Sequence, residues 1–146
     1  MTKQKFLNLS ILSLLVLALL GGCSILGGKK AMEAKREAEK QEMIEIVESE
    51  EVQAIIQEEV DYYNNLVEGE EKPITSYEVD YDSLEYHPMG GIIIKIIMND
   101  ISEQYVSIDV YIDQNKEYQQ SGSVVSGEFS DYLVAFKEKV EHDETQ

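Results

Sequence analysis

Ile92-Ile93-Ile94-Lys95-Ile96-Ile97-Met98, then Asn99-Asp100, then Tyr105-Val106-Ser107-Ile108-Asp109-Val110-Tyr111-Ile112: this stretch decides the fold of the chain. Its second run alternates without a break. Val106, Ile108, Val110 and Ile112 face one way, and Tyr105, Ser107, Asp109 and Tyr111 the other, as in a half-buried strand. The first run is nearly all isoleucine, with Lys95 at its centre, and reads as a strand apolar on both faces. Asn99-Asp100 at the junction are turn formers, so the two strands run antiparallel.

Reading outward, Ile74 to Tyr81 alternates tolerably after Gly69 and Pro73 and adds a strand on the N-terminal side. On the other side Asp113-Gln114-Asn115 supplies a turn, and Tyr118 to Val125 a weaker fourth strand rich in Ser and Gly. Phe129, Tyr132, Leu133, Phe136 and Val140 then mark an amphipathic C-terminal helix. Upstream, Ala31 to Leu66 has no proline or glycine and is built of helix formers. Val52, Ile55, Ile56, Val60, Tyr63 and Leu66 share one stripe, whereas Met43, Ile44 and Val47 are out of phase with it. Ser49 followed by Glu50 and Glu51 is the pattern of an N-cap with an acidic first turn, which predicts a break near 48–50. The fold class is therefore α+β: an N-terminal helix or kinked helix pair, an antiparallel sheet of about four strands, and a closing helix.

The first twenty-three residues carry a different message. Lys3 and Lys5 precede the apolar run Phe6–Leu20, and Leu20-Gly21-Gly22-Cys23 follows. A charged start, an apolar middle and small residues before the cut make an export signal. The cysteine after them resembles the bacterial lipobox, in which a diacylglyceryl group is added to the thiol and the chain is cut just before it. Residues 1–22 are thus expected to be a lipoprotein signal peptide, and Cys23 the lipid anchor. An uncleaved anchor is less consistent, because a spanning helix needs about 20 apolar residues. Residues 23–42 then form anchor, spacer and solvated helical stalk, 43–140 a single α+β domain, and 141–146 a polar tail. The place expected for the domain is the outer side of the cell membrane, lipid-anchored.

The chain has 29 acidic and 12 basic residues, for a formal charge of −17. Removing the signal with its two lysines takes the mature chain to −19. Such a surface repels nucleic acid and anionic polymers, so no nucleic-acid partner is expected. Cys23 is the sole cysteine, which leaves no disulfide, thiolate zinc site or cysteine nucleophile in the domain.

Ile46-Val47-Glu48-Ser49-Glu50-Glu51 and His87-Pro88-Met89-Gly90-Gly91-Ile92 together resemble segments of the domain of unknown function 1310 family. The likeness covers about residues 43–140 and leaves the lipobox outside it. The resemblance implies an exported or membrane-anchored protein of a low-GC Gram-positive bacterium, with no established activity and no catalytic residue to carry over.

Three constellations bear on chemistry. His87 lies beside Glu85, and a histidine with a carboxylate can work as an acid–base pair. The same block reads more simply as a turn: Pro88 extends His87, Met89 follows, and Gly90 and Gly91 permit a tight reversal into the isoleucine strand. On that reading the imidazole has no partner. Asp80, Asp82, Glu85, Asn99 and Asp100 offer oxygen ligands, but the EF-hand spacing is missing. They read as a solvated acidic loop, and no metal or other cofactor is expected. Finally, Tyr105 and Tyr111 share a sheet face with Ile93, Ile97 and Lys95. That face is either a binding surface or a second core layer under a helix. A non-enzymatic module binding a protein or peptide is the leading expectation. A small hydrolase or metal-dependent enzyme around His87, and a purely structural or stress-response envelope lipoprotein, are the alternatives.

Overall fold

The computed structural model describes residues 27–143. The first helix, α1, is described from residue 27 and ends at 47. The chain divides into one unit up to Gln41 and a second from Glu42. In the first, residues 27–38 are all exposed, and Lys35 pairs with Glu39 one turn on at 3.6 Å.

A new helix, α2, spans Glu50–Asn65. The break before it has the cause expected. Ser49 is extended (φ −64°, ψ 148°), its hydroxyl accepts from Val52 N–H, and Glu50 and Glu51 occupy the first turn. About four β-strands are legible in the sequence; five are present among the described residues. They are β1 (Tyr77–Val79), β2 (Glu85–Tyr86), β3 (Ile92–Met98), β4 (Ile101–Ile112) and β5 (Tyr118–Val125). α3, Gly127–Asp143, closes the fold. The sheet is antiparallel in the order β1-β3-β4-β5, and β2 pairs with β3 beyond the end of β1.

β1 is shorter than the alternation suggested because side chains hold the backbone before it. Asn64 binds both N–H and C=O of Ile74, while Asn99 accepts from Thr75 N–H and donates to Pro73 O. After it, Asp80 accepts from Asp82 N–H and turns the chain into a single 3-10 turn, Tyr81–Ser83. The β3–β4 turn puts Asn99 and Asp100 at φ 55° and 58°, which short Asx side chains tolerate. In the next hairpin the left-handed residue is Lys116 (φ 64°), held because Asp113 accepts from both Asn115 and Glu117 N–H.

All three helices bury side chains on one face of this sheet. Ile92, Ile94, Ile96 and Met98 from β3 and Val106, Ile108 and Val110 from β4 meet Val47, Val52, Ile56, Val60, Tyr63 and Phe129. Each such aliphatic side chain stabilises the fold by about 1.5–3 kcal/mol on burial. Helix α3 is anchored near its start: Ser126 Oγ accepts from Phe129 N–H, and only Phe129 of that helix is fully buried. Ile55 of α2 is half-buried and Leu66, just past the helix end, is exposed, the next residue, Val67, being buried instead. Glu59 is also buried, with Gln120 donating to Oε2 at 2.8 Å and no partner on Oε1. Burial, and then the Glu59 carboxylate beside it, hold the Tyr63 phenol above its usual range.

Candidate functional site

The tyrosine–isoleucine face is the face of the sheet away from this core. Register places Ile97 opposite Tyr105, Lys95 opposite Ser107 and Ile93 opposite Asp109. Ile93, Lys95, Ile97 and Tyr105 are half-buried and Tyr111 is exposed. The buried side chains of α1, α2 and α3 all join the core on the other face, so the second-layer reading does not hold among the described residues. Lys95 is nonetheless engaged. Its ammonium lies 3.4 Å from Asp80 Oδ2 and 4.7 Å from the centre of the Tyr105 ring. A cation over a ring face is attracted by its quadrupole, which ties the two side chains together.

The helical cover stops one row short of the sheet's end. Tyr86, Ile92 and Val110 are directly opposed across β2, β3 and β4, and Ile112 opposes Tyr118 in the next row. Ile92 and Val110 are buried, but Ile112 is 55% exposed although it shares their face. There the surface opens into a groove of about 640 Å³, walled by Glu42 and Ile46 of α1, the turn 87–91, and Tyr118 and Ser121 of β5. Tyr111 reaches its rim, so groove and open face adjoin. The sequence reading passed over Ile46, Tyr86, Ile112, Tyr118 and Ser121. The sequence carries no signal for them: Ile112 alternates in phase with Val106, Ile108 and Val110, and only the reach of the helices leaves it open.

The His87–Gly91 block forms the groove's lip. Gly90 N–H donates to His87 O, and His87 N–H to Gly91 O, closing a tight reversal with Gly90 and Gly91 both at φ +99°. Met89 at its tip is 91% exposed. The imidazole does have a partner, contrary to the sequence expectation: Met89 N–H donates to Nδ1 at 3.1 Å. A ring accepting there carries its proton on Nε2. Ser121 also lines the groove, with its hydroxyl donating to Asp109 O at 3.4 Å.

The oxygen-rich residues do not converge. Asp80 is taken by Lys95 and Asp82 N–H, Asn99 by Thr75, and Asp100 by the Ser76 hydroxyl. Among the described residues no three His, Cys, Asp or Glu side chains are placed to hold a metal ion. Cys23 and the apolar run before it lie outside the described residues; within them no helix is long and apolar enough to cross a membrane.

Residues 10–132 match the family described as protein of unknown function (DUF1310). The chain belongs to that family. The matched span starts earlier than the sequence likeness suggested, taking in most of the apolar run and Cys23 as well as both quoted segments, and it stops at 132 rather than near 140. Residues of the DUF1310 match also supply the whole sheet and groove, while much of α3 lies past its end. No curated protein matches the chain, and no solved structure does.

Proposed function

We propose that this DUF1310 chain is a lipid-tethered module on the outer side of the membrane that holds an apolar side chain of a protein or peptide partner in the groove. The observation that carries this reading is the lining: Ile46, Tyr86, Met89, Tyr111, Ile112 and Tyr118 surround a cavity open to solvent. Apolar pockets rimmed by a few polar groups, here Glu42, His87 and Ser121, are the usual form of a recognition site. Tyrosines suit the task because they give large contact area for few rotatable bonds.

A library of displayed extended peptides, panned against the full chain in detergent, tests it. Selected peptides are expected to share an apolar anchor residue. They should bind at least about tenfold more weakly to Ile112→Asp, since losing one buried anchor costs more than ~1.4 kcal/mol. Val134→Asp, at an exposed position on α3, should bind as the wild type does. Peptides indifferent to Ile112→Asp would remove the groove from the proposal.

The tether rests on Lys3, Lys5, the run Phe6–Leu20 and Leu20-Gly21-Gly22-Cys23. Two acyl chains added around one cysteine give the pair of membrane signals that stable anchoring needs. Cys23→Ala is expected to leave an uncut precursor that takes up no clickable fatty acid, whereas the wild type is labelled. Equal labelling of the two would refute lipid attachment at Cys23.

The hydrolase reading keeps one observation in its favour, which is that His87 lines the groove. Its Nδ1 serves the turn and the Ser121 hydroxyl serves Asp109 O, so neither is set toward the other as a nucleophile and base would be. Binding is the better use of this geometry.

A further inference from the structure

The two edges of the sheet are built differently. One edge is β1 and β2, of three and two residues, carrying Glu78 and Glu85 with Asp80 between them. Short, charged strands are a standard defence against pairing with another chain. The other edge is β5, eight residues long, and among the described residues no strand pairs with its far side. It has no proline, and Tyr118–Gly127 is the longest run without a charged residue past residue 28. Its one protective feature is a bulge, where register skips Ser121 between Gly122 and Gln120. That leaves Gly122 to Val125 as an unbroken run of exposed residues along the edge.

Hydrogen bonding fixes which groups this edge offers. Ser126 N–H donates to Tyr105 O, so Ser126, Val124 and Gly122 turn their backbone groups toward β4. By the antiparallel alternation, Ser123 and Val125 turn theirs outward. Val124 projects from the open face of the sheet and is 68% exposed.

We infer that β5 pairs antiparallel with β5 of a second copy of this chain, about a two-fold axis at Val124. In that register Ser123 of each copy exchanges backbone hydrogen bonds with Val125 of the other. The two Val124 side chains meet across the axis as a directly opposed, closely spaced pair. Charge selects this occupant. Strands pair about 4.8 Å apart, well inside the ~8 Å over which salt screens charges at physiological strength. A copy with a formal charge of −17 meets no like charge only along a neutral strand. A cationic peptide would instead be drawn to the carboxylates elsewhere on the surface. The contact is isologous, so it closes at two copies, and it leaves the groove's apolar wall on each. It does not depend on the binding role proposed for that groove.

Sedimentation of the full chain in density-matched detergent tests the pairing. At about 100 µM, far above a micromolar Kd, the wild type is expected to sediment as a dimer and to dissociate on dilution. Val124→Lys sets two ammonium groups against each other at the axis and should be monomeric throughout, with an unchanged melting temperature at dilutions where the wild type is monomeric too, because the side chain is exposed. Val134→Lys should remain dimeric. Val124→Cys should form an intermolecular disulfide under mild oxidation, mapped by mass spectrometry to position 124 and not to Cys23, since opposed Cα atoms in such a pair lie within disulfide reach. A wild type that stays monomeric overturns the inference and leaves the edge to an extended segment of another protein. A dimer that survives Val124→Lys overturns it too, by placing the contact elsewhere.

Discussion

Gly91→Ala should destabilise the protein by more than about 2 kcal/mol, while Gly90→Ala two atoms of backbone away should cost only about 1 kcal/mol. Both residues sit at φ +99°, where an L side chain is strained, and that much they share. They differ in what a methyl group would meet. A Cβ at Gly90 has nothing within 4 Å, whereas one at Gly91 would lie 2.4 Å from Val110 O and 3.1 Å from Tyr111 Cβ. Val110 O is backbone of β4, an interior strand, so relief means shifting β3 against β4 rather than turning a side chain. The difference between the two variants in urea unfolding therefore isolates the steric contribution. His87→Gln belongs in the same series. It removes an acceptor from an exposed turn, where water can replace it, and should cost about 0.5 kcal/mol. Equal costs at the two glycines would mean that the turn yields freely, and a histidine change worse than both would make the imidazole the element that holds it.

The legibility of this chain varied with how local the cause was. β3 and β5 begin and end where the sequence placed them, and the helix break was readable because Ser49, Glu50 and Glu51 act within one turn. β2 was not readable. Glu85-Tyr86 has no periodicity of its own and is a strand only because β3 runs past the end of β1 and offers it an edge. β1 is shorter than the alternation suggests for the complementary reason: Asn64 and Asn99, distant in sequence, occupy the backbone groups of Ile74 and Thr75 that a longer ladder would need.

The site follows the same division. The composition of the tyrosine–isoleucine face was legible from a period of two, but its openness depended on where three helices land, which no strand pattern contains. The groove was less legible still. It exists because the helical layer is one row shorter than the sheet, leaving Ile112 exposed and Tyr118 only partly covered. Both had been assigned to strands, and a strand assignment does not say which row lies outside the roof.

Ile56→Ala is expected to cost about 2–5 kcal/mol, the range for truncating a large buried aliphatic side chain. Ile56 is fully buried on α2 and belongs to the cluster formed with Ile94, Ile96 and Ile108. Its neighbour shows why burial, not residue type, sets the number. Ile55 lies on the same stripe but is only partly buried, so Ile55→Ala leaves a smaller cavity, open to water, and should cost about 1 kcal/mol. At the other extreme, removal of residues 31–41 should change stability by about 0.5 kcal/mol or less, because residues 31–38 are exposed and none of the segment is buried. Glu42 is kept in that deletion, since it walls the groove. Urea midpoints with equal slopes for the wild type and the three variants, all as full chains in detergent, give the comparison directly. A deletion as damaging as Ile56→Ala would show that the exposed helix contributes to the stability of the folded unit and is not a spacer. If Ile55→Ala matched Ile56→Ala, the outer side of α2 would have to be covered in solution, and the open surfaces on which the binding proposal rests would need to be redrawn.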